Sequence, residues 1–118
     1  MLSFKQLALI STLALVPGAA LAGASSTPFG YTPDPAMQRE TPAQLQSRIA
    51  RSCISTQARI QNAQQSRMQR GCGCYASRVM RGMDATELAA YRATGVFNDT
   101  ARAKAFAALD SCGLRRPS

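Results

Sequence analysis

A chain of 118 residues with no histidine, and with six acidic side chains against fourteen basic ones, carries little catalytic equipment. Without imidazole it cannot build a Ser-His-Asp or Cys-His centre, and it lacks a leading ligand of zinc and copper. Its formal charge of +8 favours anionic partners instead.

Residues 1–22 have the form of a secretory signal peptide. Lys5 supplies the positive n-region, Leu7 to Val16 the apolar core, Pro17-Gly18 the break, and Ala20-Leu21-Ala22 the small-x-small cleavage pattern. The apolar run is shorter than the roughly 20 residues that a membrane-spanning helix needs. No second long apolar run follows, so an integral membrane protein is not expected. No cysteine follows the cleavage site, which argues against a lipid anchor. With the alanine- and arginine-rich composition, these features predict a bacterial protein exported to the periplasm or beyond.

Removal of 22 of the 118 residues leaves 96, enough for one small domain. Alanine dominates the apolar residues and tryptophan is absent, so the hydrophobic core is marginal. The four cysteines, in an oxidising compartment, fit two stabilising disulfides.

Gly23 to Glu40 is rich in Gly, Ser, Thr and Pro and is expected to be a disordered leader. Thr41-Pro42 is a helix start, with threonine as cap and proline in the first position. No Gly or Pro interrupts the chain from there to Gln69, which predicts one long helix, bent if at all in its glutamine-rich second half. Ile49, Ala50, Cys53, Ile54, Ile60 and Met68 share one arc, with Gln46, Gln57, Gln61 and Gln64 diluting it. Gly71 reads as the end of that helix. Tyr75–Met83 is a short second helix with Val79, Met80 and Met83 inward. Asp84 and Glu87 form a capping box for a third, which stops at Gly95. Asn98 or Asp99 caps a fourth, carrying Ala105, Phe106 and Leu109 to Cys112; Gly113 ends it, and residues 114–118 form a frayed tail. The fold class is therefore all-α: a disulfide-stapled bundle of one long and three short helices, with its domain over residues 41–113.

Between Thr41 and Met83 there are seven arginines and no acidic residue. Arg48, Arg51, Arg59 and Arg70 fall opposite the apolar arc and are the candidate anion-binding surface, with a lipid head group or polysaccharide of the envelope as partner. Nucleic acid is not expected after export.

Cys72-Gly73-Cys74 is the other notable feature. As a scaffold, it joins its two sulfurs to Cys53 and Cys112. A straight helix would hold Cys53 about 24 Å from the triplet, whereas bridged Cα atoms lie within about 7 Å. That pairing, which we favour, requires the long helix to break and fold back. The alternative joins Cys53 to Cys112 and closes Cys72 on Cys74. As a redox pair, Cys72 and Cys74 would be activated by a helix N-terminus and by Arg70 and Arg78, giving thiol–disulfide exchange as the competing function. A third reading sets the two thiols with Met80 and Met83 as Cu(I) ligands, although methionines at that spacing more often fill a core. The expectation is a non-enzymatic binding or structural protein, with no catalytic residues, metal or cofactor.

Overall fold

The computed structural model describes residues 32–117. The expected signal peptide, residues 23–31 of the expected leader, and Ser118 lie outside the described residues.

The first helix, α1 (Pro42–Gln61), opens with the capping box that Thr41 and Gln44 permit. The Thr41 hydroxyl accepts from the Gln44 amide at 3.2 Å, and Gln44 Oε1 accepts from the Thr41 amide at 2.8 Å. Leu45, Ile49, Cys53 and Gln57, four residues apart, form its buried stripe. The helix does not continue to Gln69. Asn62 leaves it at φ 49°, in the left-handed region that asparagine tolerates better than most residues. A 3-10 turn at Gln65–Met68 follows, and α2 (Gln69–Gly82) returns along α1.

This early break also corrects the reading of Gly71. It ends no helix but lies in the first turns of α2, where Leu114 covers it: a Cβ there would stand 2.7 Å from Leu114 Cδ2. The second helix thus begins before the cysteine triplet rather than after it.

Helix α3 (Ala85–Thr94) carries the expected capping box, with Asp84 and Glu87 exchanging hydrogen bonds of 2.8 and 2.9 Å, and ends at Gly95 with φ 71°. Asn98 caps α4 (Asp99–Ser111), accepting from the Ala101 amide at 3.0 Å. Four helices and two disulfides make the all-α fold, and no strand occurs among the described residues. Leu45, Cys72, Val79 and Leu109 sit in its core, joined by Met37 from upstream of α1.

Met37 marks a correction to the leader. Pro35–Arg39 forms a 3-10 turn capped by Asp34, and Met37 is only 2% exposed. Arg92 of α3 donates to the carbonyls of Met37 and Glu40, at 3.1 and 2.7 Å. One buried thioether and two satisfied carbonyls order a segment whose composition alone predicts disorder.

The tail is also tied down rather than frayed. Leu114 packs on Gly71, and Gln57 spans both polar groups of Arg115, donating to its carbonyl at 2.6 Å and accepting from its amide at 3.1 Å. Arg116 makes two bonds to Asp110 and lies 5.3 Å above the Phe106 ring.

Candidate anion-binding surface

Residues two apart on a helix point about 200° away from each other. Cys72 of α2 therefore faces α1 and Cys74 faces α4. Cys53 pairs with Cys72 (Cα–Cα 5.6 Å) and Cys74 with Cys112 (5.9 Å), the double cross-link through the triplet. The break at Asn62 is what brings Cys53 within reach. The Cys72–Cys74 pair of the exchange reading is thus held as two sulfurs in separate bridges. Neither is a thiolate ligand for copper, and Met80 and Met83 pack against the core.

The seven arginines divide. Arg48, expected on the binding surface, is occupied within the fold: its guanidinium bonds Asp34 at 3.0 Å and both oxygens of Glu40. The Arg48 bond holds the Glu40 carboxyl below its usual range; the Ala36 amide, then Arg48, do the same for Asp34. Both carboxylates come from the ordered end of the leader, a long-range pairing that helical periodicity cannot reveal.

Arg51, Arg59 and Arg70 remain exposed as expected, and Arg67, Arg78 and Arg81 join them. None of the six has an acidic group within 4 Å among the described residues. The other carboxylates are committed elsewhere: Asp99 to Arg102, Asp110 to Arg116, Glu87 to Lys104, and Asp84 to the Glu87 amide.

Between the two helices lies a trough of about 300 Å³ lined by Ala43, Gln46, Ser47 and Ala50 of α1 and Gly73 and Ala76 of α2. Its small side chains let the helices approach and leave a shallow floor; a Cβ added at Gly73 would meet nothing within 4 Å. No group of three or more His, Cys, Asp or Glu able to hold a metal occurs among the described residues, and no described helix is long and apolar enough to cross a membrane.

No known family, curated protein or solved structure matches the chain.

A second cluster, not anticipated, is structural. Glu87 is 1% exposed, and its Oε1 accepts from Lys104 Nζ at 2.5 Å and from the Asp84 amide at 2.9 Å. Lys104, then the amide, holds its carboxyl down to about 2. Lys104 also donates to the Gly82 carbonyl at 2.9 Å, so the cluster ties α4 to the junction of α2 and α3. The capping box marks Glu87 in the sequence, but nothing local marks its burial.

Proposed function

We propose that this is a small exported protein, non-enzymatic, that binds an anionic component of the bacterial envelope through the arginine face of α1 and α2. One observation carries the reading: six exposed guanidinium groups, five on the cross-linked helices and Arg67 on the 3-10 turn between them, with no carboxylate within 4 Å of any of them among the described residues. Exposed like charges gain the fold nothing. Each is a rigid fork suited to bidentate contact with a carboxylate or phosphate. The Cys53–Cys72 bridge and the closed α1–α2 hairpin fix their backbone positions, which lowers the ordering cost of binding.

The test replaces Arg51, Arg59, Arg70 and Arg81 by glutamine and compares binding to an acidic polysaccharide and to anionic vesicles. A control removes four charges elsewhere, at Arg39, Arg102, Arg115 and Arg116. The face variant should lose about tenfold or more in affinity at physiological salt, with a shallower salt dependence. Equal losses in the two variants would mean that only net charge matters and would sink the proposal.

A further inference from the structure

We propose that the Cys74–Cys112 bridge is an exchange site for a small anionic thiol, which attacks Cys112 and is held there as a mixed disulfide. The site is independent of the polyanion reading above. The two bridges differ in exposure. Cys53 and Cys72 are 6% and 0% exposed, so a thiol reaches their sulfurs only when α1 and α2 part. Cys74 and Cys112 are half-buried, and the residues beside them, Gly73, Ser111 and Gly113, are small and exposed.

The two sulfurs of the accessible bridge also differ in electrostatic surroundings. Arg70 and Arg78 stand four residues before and four after Cys74 on α2, one turn away on each side and on the same face. Both are exposed, and neither has a carboxylate within 4 Å among the described residues. Arg81, seven residues beyond Cys74, continues that face. Cys112 instead caps α4 at the negative end of its dipole, and the last turn there holds no basic residue. Neighbouring cations stabilise a thiolate, whereas a helix C-terminus opposes one. Cys74 is therefore the better leaving group, and Cys112 is the sulfur attacked. The same two guanidinium groups draw in an attacking thiol that carries negative charge.

The other charged or titratable groups nearby are occupied or neutral. Asp110 is held by Arg116 through two bonds, and the peptide of Arg115 is clamped by Gln57 of α1. Burial pushes the Tyr75 hydroxyl up to about 12, so it stays neutral beside Cys74.

In the exchange step the incoming thiolate bonds to Cys112 Sγ, the Cys74–Cys112 bond breaks, and its electron pair leaves on Cys74 Sγ. When a second thiolate displaces Cys112, two external thiols have become one disulfide and the bridge has become two thiols. The fold keeps α4 in place with the bridge open. Lys104 holds Glu87 and the Gly82 carbonyl, Leu114 packs on Gly71, and Gln57 clamps Arg115.

The experiment treats the full exported chain with 2-mercaptoethanesulfonate, which is anionic, and with cysteamine, a cationic thiol of the same length. Samples are quenched with iodoacetamide at intervals, and tandem mass spectrometry assigns the state of each cysteine. Cys74 should be alkylated and Cys112 should carry the sulfonate thiol well before Cys53 or Cys72 reacts, with the helical circular dichroism signal retained. Arg70→Gln/Arg78→Gln should slow attack by the anionic thiol about tenfold and attack by cysteamine less than about threefold. Arg51→Gln/Arg59→Gln, an equal loss of charge on α1, should change either rate less than about twofold. All four side chains are exposed and outside any ion pair among the described residues, so both variants should fold. Opening of both bridges together, or an adduct on Cys74, overturns the proposal. Equal slowing by the two arginine pairs, or equal slowing of the two thiols, overturns it as well.

Discussion

Replacing Cys53 and Cys72 together by alanine, and in a second variant Cys74 and Cys112, sets loop length against burial. The sequence separations are 19 and 38, and in the chain-entropy account these closures are worth about 3.3 and 3.9 kcal/mol. On that ground the second variant should be the weaker. Cys53 and Cys72, however, are 6% and 0% exposed, whereas Cys74 and Cys112 are both half-buried. Each fully buried sulfur leaves a small cavity costing about 1 kcal/mol, and a site that water can fill costs little. The totals become about 5 and about 4 kcal/mol, and the order reverses. Against the 5–15 kcal/mol typical of a domain, the first variant should sit at the edge of folding while the second remains folded. Urea unfolding followed by circular dichroism should rank them, and in a domain this small each 1 kcal/mol moves the thermal midpoint by about 4–8 °C. If the Cys74/Cys112 variant is the less stable of the two, loop entropy governs and the burial argument is wrong.

Three further outcomes are expected. Glu87 titrates near 2 in the folded chain against an ordinary 4.5, so stability is full above about pH 4.5 and falls as pH drops toward 2. At the other end Lys104 is raised by its bond to Glu87, and burial pushes Tyr75 up to about 12, so stability falls again above about pH 10. Urea titrations across pH should show Glu87→Gln with a shallower acid limb; an unchanged limb would remove Glu87 from the account. Gln57→Leu should cost about 1–2 kcal/mol and release the tail, because both bonds to Arg115 are lost. Tryptic cleavage after Arg115 should then accelerate, and an unaltered rate would contradict the clamp. Gly73→Ala, in open space within α2, should stabilise by about 1 kcal/mol. Gly71→Ala should gain less because its methyl displaces Leu114, and equal thermal midpoints for the two would argue against that contact.

What could be read from the chain were the features settled within one turn of helix. Thr41-Pro42, Asp84 with Glu87, and the Asn98-Asp99 pair, of which Asn98 proves to be the cap, mark helix starts because a capping side chain reaches only its own first turn. The cross-link through the triplet was accessible to a distance argument, since it forced a break before Gln69. The position of that break was not, because asparagine is only tolerant of the left-handed region and does not demand it. Gln57 shows the same limit: it dilutes an apolar arc until the tail carrying Arg115 is in place, whereupon its amide is the one group that satisfies both ends of that peptide. Arg48 was assigned to the binding surface because its partners, Asp34 and Glu40, lie in a segment whose order depends on burying Met37. Arg51, Arg59 and Arg70 are exposed, as their helical positions predict, for the opposite reason: no carboxylate comes within 4 Å of them among the described residues.

The pairing of the cysteines bears on how the chain reaches its native state. The first joins the second and the third joins the fourth, so the two loops lie in tandem, neither nested nor crossed, with Gly73 alone between them. Cysteines oxidised in the order in which they are synthesised arrive at this arrangement directly. In that order the first loop can close once α1 and the start of α2 are available, before Cys112 competes for either sulfur. Cys74 is then left with one remaining partner, and no disulfide has to be broken and remade.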